Sequence, residues 1–187
     1  MGVAERVQQW FHDAYGTVAA ELRAQWDSMT THGCWCGAGN RCEETSDGLD
    51  GCCKQHDHSY ESAGISADLM WSAEGFVRGK DADTALVACA ASNETTDSGY
   101  RDRLLALFNT RLHIAGVIEG WYEAARQAEE GVEGFRRWLR QHATLSQVDR
   151  AELQQYEEYL GGLGVGADEV QAVVADAGLP PGDSAYA

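Results

Sequence analysis

Apolar residues recur every three or four positions along most of the chain, which is the spacing of amphipathic α-helices. No run longer than a few residues alternates in the way that a half-buried strand requires. The glycine-rich stretch 33–48 fits neither period. We therefore expect an all-α fold interrupted by one long loop. The predicted helices cover residues 3–15, 17–29, 50–63, 66–78, 81–91, 99–128, 132–142, 146–160 and 170–177.

The character of the chain changes near residue 93. All six cysteines precede this point, and longer helical patterns without cysteine follow it. We therefore predict a disulfide-stapled helical core over residues 1–93 and a helical extension over residues 94–187, which is either separate or packed on the core as one domain. The apolar stripe from Leu104 to Ala125 fits a buried core or a dimer surface, and a lid or pocket wall is the functional alternative.

The acidic composition excludes some classes of partner. The formal net charge is −16, whereas binding to nucleic acid needs clustered Lys and Arg to neutralise phosphates. We expect no nucleic-acid partner and no strong attraction to an anionic membrane surface. The cluster of Arg136, Arg137 and Arg140 fits an anionic ligand, but salt bridges with the many acidic residues explain it more simply.

The cysteines indicate the redox environment. Five of the six lie between Cys34 and Cys53, and the sixth is Cys89. The spacings Cys34-x-Cys36 and Cys52-Cys53 fit the paired knuckles of zinc sites poorly and favour disulfides. Disulfides predict secretion or another oxidising compartment. The first residues, MGVAER, contain no visible signal peptide, so the route to such a compartment stays open.

A histidine and an aspartate stand side by side in the helix that follows the glycine loop. Adjacent helical residues diverge by about 100°, so His56 and Asp57 each need a different partner. A carboxylate that faces backbone carbonyls is typical of calcium, which takes about six to eight oxygen ligands. Asp57 turned towards the loop would supply that carboxylate. For His56 the expected acceptor is Asp83, with Tyr60 one helical turn beyond on the same face.

Two motifs in this segment resemble those of secreted phospholipase A2. The loop reads CWCGAG over residues 34–39, and the helix reads DGCCKQHD over residues 50–57, followed by a tyrosine. A further family element, an aspartate six residues before a cysteine, is matched by Asp83 and Cys89. The matches cover roughly residues 32–89. The resemblance implies a phospholipase A2-like helical core with a calcium loop and Ca²⁺ as its cofactor.

The family's functional residues carry over to the matching positions. His56 would be the general base that takes a proton from the attacking water, and Asp83 would orient it with the help of Tyr60. The backbone amide of Gly37 would stabilise the oxyanion. The implied reaction is hydrolysis of the sn-2 acyl ester of a glycerophospholipid, without a covalent enzyme intermediate. The implied calcium ligands are Asp57 and the backbone carbonyls of Trp35, Gly37 and Gly39.

The chain departs from the family pattern at three points. Asn40 stands where a second glycine often follows the loop, and the family's usual cysteine anchor to the C-terminal tail is missing. No tyrosine lies between Tyr60 and Asp83, so we expect Trp71 or Phe76 in its place. Our working disulfide pairing is Cys36–Cys53, Cys52–Cys89 and Cys34–Cys42.

Two alternatives to a phospholipase stay open. The same His/Asp/calcium machinery would serve for another acylated small molecule or natural product, since the extension lies outside the resemblance. A non-catalytic calcium-binding module would keep the scaffold without turnover. A phospholipid substrate implies peripheral membrane contact, for which Val3, Trp10 and Phe11 are the candidate face. Packing of these side chains against the core explains them at least as well.

Overall fold

The computed structural model describes residues 3–29, 31–37, 42–141 and 150–178. These ranges form no β-strand and contain one isolated bridge, between His32 and Cys36, so the predicted all-α fold class is confirmed. None of the described helices combines the length and apolarity that crossing a membrane requires. The helices are α1 (Val3–Ser28), α2 (Gly48–Ser62), α3 (Ala73–Arg78), α4 (Lys80–Ser92), α5 (Ser98–Gln141), α6 (Arg150–Gly162) and α7 (Ala167–Asp176), with a 3₁₀ turn (Leu69–Trp71) before α3.

The first helix is longer than the sequence pattern predicts. α1 joins the predicted helices 3–15 and 17–29 through Gly16, where an added Cβ would meet no atom within 4 Å. A glycine costs a helix about 1 kcal/mol relative to alanine. Burial of side chains such as Val7 and Leu22, on either side of Gly16, more than offsets this cost. An isolated glycine is therefore too weak a signal to divide a long amphipathic helix.

Two other helix predictions are corrected by the structure. α5 joins the predicted helices 99–128 and 132–142 into one. The predicted helix 66–78 is instead divided into the 3₁₀ turn and α3. The division lies at Ser72, whose backbone is extended and whose Oγ accepts a hydrogen bond from the amide of Gly75 at 3.1 Å. A serine N-cap stabilises a helix start by about 1 kcal/mol, so α3 begins anew there.

Three disulfides staple the first part of the chain and account for all six cysteines. The pairs are Cys34–Cys42, Cys36–Cys53 and Cys52–Cys89, so the working pairing is confirmed. The second ties the glycine loop to α2, and the third ties α2 to α4. Such a density of disulfides is typical of proteins in an oxidising compartment.

By their internal contacts the residues fall into two compact units, 1–121 and 122–187. Residues 94–121, which we assigned to the extension, group with the first unit. α5 contributes to both units because the division falls inside it. The second unit has an apolar core formed by the end of α5 with α6, α7 and the turn between them, and its buried members are Val132, Phe135, Leu139, Leu153, Leu160, Val165, Val170, Val173 and Val174.

The aromatic residues of α1 pack within the first unit. Phe11 is buried with its ring centroid 5.5 Å from that of Phe76. Trp10 is half-buried and stacks on Trp121 at 4.7 Å. In the predicted apolar stripe of α5, Leu104, Phe108, Ala115 and Ile118 are buried in the first unit and Ala125 in the second. Of the arginine cluster, Arg136 forms a salt bridge with Glu133 at 2.6 Å.

Candidate active site

α2 presents two of the predicted catalytic side chains on one face. His56 and Tyr60 are four residues apart, so they are neighbours on the helix surface, and their ring centroids are 4.2 Å apart. Asp83 lies in the first turn of α4, which the Cys52–Cys89 disulfide joins to α2. The structure brings the three side chains together. Asp83 Oδ1 lies 2.9 Å from His56 Nε2 and accepts a hydrogen bond from Tyr60 Oη at 2.7 Å.

A fourth side chain, which the sequence analysis missed, completes this cluster. Arg111 of α5 is fully buried, and its Nε donates to Asp83 Oδ2 at 3.0 Å. Its Nη2 donates to Tyr60 Oη at 2.9 Å, and its Nη1 donates to the carbonyl of Met70 at 2.6 Å. Asp83 is itself only 1% exposed. A buried carboxylate is tolerated when it is both paired and hydrogen-bonded, and Arg111 supplies the compensating charge.

Trp71 and Phe76, which we expected in place of the missing tyrosine, lie beside Arg111. Within the described chain neither residue forms a hydrogen bond with Asp83. Their rings instead lie 5.1 and 4.4 Å from the Arg111 guanidinium carbon, where cation–π attraction holds it. Arg111 follows Phe108 by three residues, in phase with the apolar stripe. A basic residue within a buried stripe is the signal that points to such a pair.

The second ring nitrogen of His56 faces the neighbouring aspartate. Asp57 Oδ1 lies 3.8 Å from His56 Nδ1, which is beyond hydrogen-bond distance. Burial lowers the pKa of His56, but the carboxylates of Asp57 and Asp83 outweigh burial and raise that pKa above its ordinary value. Because the Asp83 carboxylate accepts the hydrogen at Nε2, the neutral imidazole carries its lone pair at Nδ1. The basic nitrogen is therefore the one beside Asp57.

Asp50 shapes the glycine loop from inside. Its carboxylate is fully buried and accepts hydrogen bonds from the amides of Cys34 at 3.0 Å, Trp35 at 2.6 Å, Cys36 at 3.3 Å and Ser46 at 2.8 Å. Burial raises the pKa of Asp50, but these four amides together outweigh burial and lower it. In the sequence, Asp50 is recognisable only as the first residue of the helix motif. Its structural role is to draw three consecutive amides inward.

Other backbone groups of the loop have no hydrogen-bond partner among the described residues. The carbonyl of Cys36 accepts from the amide of His32 at 3.0 Å. Within the described residues, the carbonyls of Trp35 and Gly37 and the amide of Gly37 make no hydrogen bond. These are groups that the resemblance assigns to the metal and to the oxyanion. Gly39, the remaining carbonyl ligand of that assignment, lies outside the described residues.

Gly37 has a conformation that only glycine adopts easily. Its φ is +122°, a value that residues with a side chain rarely take. An added Cβ would also lie 2.9 Å from Thr31 Cγ2. The loop therefore needs glycine at the position whose amide and carbonyl are both without a partner in the described structure.

Asp57 and the loop carbonyls of Trp35 and Gly37 are the candidate donors for a calcium ion. Asp57 lies one helical turn after Cys53, which the disulfide ties to Cys36 of the loop. The Asp57 side chain is 35% exposed and makes no hydrogen bond with the described residues. A carboxylate and unpartnered backbone carbonyls are the hard oxygen donors that Ca²⁺ takes. The described ranges contain no group of three or more His, Cys, Asp or Glu side chains that could hold a metal ion.

A further buried hydroxyl belongs to Tyr100 in the first turn of α5. Its side chain is fully buried, and Oη has no hydrogen-bond partner in the described part of the chain. The ring stacks on His32 at 5.5 Å. Burial raises the pKa of Tyr100 to about 12, with Arg103 opposing the rise and Asp57 and Asp50 adding to it. The hydroxyl is therefore a protonated donor within electrostatic reach of Asp57.

Comparison with known proteins adds no family assignment. The chain matches no protein-family model, no curated protein and no solved structure. The case for a function therefore rests on the geometry around His56 and the loop, together with the motifs that resemble secreted phospholipase A2.

Proposed function

We propose that this protein hydrolyses an acyl ester with water activated by His56, in the manner of a phospholipase A2. The observation that carries the proposal is the orientation of the imidazole. Its Nε2 lies 2.9 Å from Asp83, and its Nδ1 faces Asp57 beside the loop. A fixed imidazole with one basic nitrogen next to a candidate metal ligand is what general-base activation of water requires.

The residues of the chain divide the work of proton transfer and charge stabilisation. His56 Nδ1 takes a proton from water as the water oxygen adds to the ester carbonyl carbon, and it returns this proton to the departing alkoxide. Asp83 stabilises the imidazolium, and Arg111 with Tyr60 holds Asp83 in place. The amide of Gly37 donates to the developing oxyanion. When bound, calcium would supply positive charge for the ester carbonyl and the substrate phosphate.

The proposed substrate is a glycerophospholipid cleaved at its sn-2 ester, and the proposed location is outside the cell. The motif resemblance supports the substrate, and the three disulfides support the location. Another acylated small molecule is the alternative substrate. The net charge of −16 favours it, because this charge opposes binding to anionic lipid surfaces.

The first experiment measures fatty-acid release from phospholipid vesicles labelled in the sn-2 chain, with sn-1-labelled vesicles as a control for position. We expect calcium-dependent release from the sn-2 position only. His56→Gln should lose about a thousandfold or more, in line with the contribution of a general base. The matched control is His113→Gln, because His113 is exposed on α5, and this variant should keep full activity.

A soluble short-chain ester distinguishes the alternatives in the same experiment. Turnover of the soluble ester alone would favour the small-molecule substrate. A folded protein that hydrolyses neither substrate would be the non-catalytic module, and the proposed hydrolysis would be wrong. Full activity of His56→Gln would contradict the mechanism whatever the substrate.

The second experiment tests the metal without turnover. Calcium at about 100 times its dissociation constant should stabilise the folded protein by about 2.7 kcal/mol, which thermal unfolding detects. Asp57→Asn should remove most of this shift. The control is Asp81→Asn, because Asp81 is exposed in the first turn of α4, and this variant should keep the shift. A wild-type protein whose unfolding does not respond to calcium would contradict the loop assignment.

A further inference from the structure

A cavity that is open to solvent lies in the first unit between residues that the proposed mechanism does not use, and four of its six lining residues are exposed. Its volume is about 390 Å³, which is at the lower end of the range of about 300–1,000 Å³ for small-molecule sites. The last turns of α1 and the second and third turns of α5 form its walls. The lining residues are Gln25, Ser28, Met29, Arg103, Ala106 and Leu107.

Arg103 is the one charged side chain among the described residues that line this cavity. Its guanidinium makes no salt bridge or hydrogen bond within the described structure, and its carbon lies 5.9 Å from the centroid of the Tyr100 ring. By contrast, Arg101 on the same helix pairs with Asp102. The ring of Tyr100 orients the guanidinium without neutralising it. In a chain of net charge −16, an arginine without a carboxylate partner beside a cavity is suited to an anion.

Two of the carbonyls in the last turn of α1 have hydrogen-bond partners. Helix C-termini carry partial negative charge on unpaired carbonyl groups. Here the carbonyl of Gln25 accepts from Ser28 Oγ at 2.8 Å and from the amide of Met29 at 3.1 Å. The carbonyl of Trp26 accepts from the same amide. The side-chain amide of Gln25 has no partner in the described residues and is a second donor at the cavity.

The remaining walls are apolar. Met29 and Ala106 offer hydrocarbon surface beside the two donors, and Leu107, which is itself buried, completes the apolar lining. A ligand that suits both parts carries one oxyanion and an unbranched alkyl chain, because a compact polar anion would leave the apolar wall unused. The flexible thioether side chain of Met29 is the kind of surface that adapts to such a chain.

We infer that this cavity binds a linear amphiphile with a single oxyanion head group, with the head at Arg103 and Gln25 and the chain along the apolar wall. The carboxylate of a fatty acid and the phosphate of a single-chain phospholipid share this chemistry. The inference goes beyond the proposed hydrolysis and does not depend on it, because the ligand only binds. If the protein does hydrolyse phospholipids, both kinds of amphiphile are its products.

The test is calorimetric titration of the full-length protein with decanoate and with decyl phosphate below their micelle concentrations. A chelator is present throughout, so that no bound calcium offers the anions a second site. Arg103→Gln should weaken binding of the anions about tenfold or more. Arg101→Gln removes an equal charge from the same helix but not from the cavity, and it should bind as the wild type does.

Two further measurements locate the ligand and its head group. Ala106→Phe fills the cavity from an exposed position and should abolish binding of both anions. Decanol and decyltrimethylammonium should bind the wild type at least about tenfold more weakly than the anions do. Tighter binding of decanoate assigns the site to fatty acids, tighter binding of decyl phosphate assigns it to single-chain phospholipids, and equal binding supports the shared chemistry.

Three results would overturn the inference. The first is a wild-type protein that binds neither anion at about 1 mM. The second is an equal loss in Arg101→Gln and Arg103→Gln, which would indicate diffuse attraction to the helix. The third is binding of the alkyl cation as tight as that of the anions. None of these results bears on ester hydrolysis, so this inference and the proposed function fail separately.

Discussion

The first unit holds two buried carboxylates in opposite ways, one in the loop and one in the His56 cluster. Among the described residues, Asp50 accepts hydrogen bonds from backbone amides only, whereas Asp83 is held by the side chains of His56, Tyr60 and Arg111. Backbone amides neither titrate nor leave, so Asp50 fixes the shape of the loop. The imidazole of His56 can gain and lose a proton, so in the proposed mechanism Asp83 acts on the proton transfer of His56. Equal burial thus serves a structural role in one region and a proposed catalytic role in the other.

Removal of the cation beside Asp83 should have the largest effect on stability. Arg111→Met leaves a buried carboxylate without its opposite charge, and loss of one partner of a buried pair costs about 3–5 kcal/mol. Urea unfolding measures this loss. The stability of Arg111→Lys should lie between those of the wild type and Arg111→Met. Lysine restores the charge but not the branched guanidinium that also reaches Tyr60 and the Met70 carbonyl.

Two controls show whether the loss belongs to the ion pair. Arg101→Met, at a partly exposed arginine of the same helix, should change stability by less than about 0.5 kcal/mol. Asp83→Asn combined with Arg111→Met should cost less than the sum of the two single changes, because their side chains are in contact. Additive losses would mean that Arg111 acts through packing alone, and the comparison between the two carboxylates would lose its basis.

The second largest effect is expected at the loop. Asp50→Asn replaces one acceptor oxygen by an NH₂ group that faces amide donors, and hydrogen bonds to a charged group contribute about 1.5–3 kcal/mol. The variant should lose stability by about that amount and should also lose much of the calcium-dependent thermal shift. Asp83→Asn should keep the calcium shift and lose turnover. Equal effects of the two variants on calcium binding and turnover would contradict the separate roles of Asp50 in loop shape and of Asp83 in turnover.

The two regions also differ in how far the sequence predicts them. His56, Tyr60 and Asp83 were predictable because helical spacing and a disulfide relate them. The role of Asp50 was not, since it depends on Gly33, whose φ is +61° and where an added Cβ would lie 2.5 Å from Asp50 Oδ2. No local pattern reveals that conformation. Arg111 lies 51 residues beyond Tyr60, and only the packing of α5 brings it to the cluster.

The same limit applies to the fold. Helix type followed from the 3.6-residue period, which is a property of local sequence, except at residues 69–72, where a 3₁₀ turn and the extended Ser72 interrupt the predicted helix 66–78. The ends of the helices did not follow from this period. A glycine inside α1 or α5 costs too little helix stability to divide a helix whose side chains are buried on both sides of that glycine. Burial in the folded protein decides whether a helix continues through such a glycine, and this burial cannot be read from a single sequence.

A smaller effect on stability is expected at Gly79, which packs directly against the Tyr60 hydroxyl. An added Cβ at Gly79 would lie 2.6 Å from Tyr60 Oη and 2.9 Å from the carbonyl of Gly75. Gly79→Ala should therefore displace the hydroxyl from Asp83 and cost about 1–3 kcal/mol through overpacking. Gly116→Ala is the control, because its Cβ would meet nothing within 4 Å, and it should stabilise α5 by about 0.5–1 kcal/mol. Equal stabilisation in both variants would show that the hydroxyl adjusts freely.

A third carboxylate, Asp47, combines both kinds of donor and should show the smallest effect. It accepts from the amide of Asp50 at 2.9 Å and from Thr95 Oγ1 at 3.0 Å, and it lies 2.9 Å from His32 Nε2. Burial raises the pKa of Asp47, but these hydrogen bonds outweigh burial, so the pKa lies well below its ordinary value of 3.8. The folded state thus favours the ionised form. The resulting stabilisation is complete above about pH 4 and is lost as the pH falls towards the folded pKa.

Asp47→Asn isolates this dependence, because asparagine also caps helices well but carries no charge. The variant should be less stable than the wild type by about 1 kcal/mol at neutral pH. The deficit should shrink as the wild type loses its ionic contribution, which urea unfolding at about pH 5 and about pH 3 measures. A deficit that stays constant across this range would mean that the Asp47 charge contributes nothing. Asp47 would then resemble Asp50 as a purely structural acceptor, although the His32 side chain lies against it.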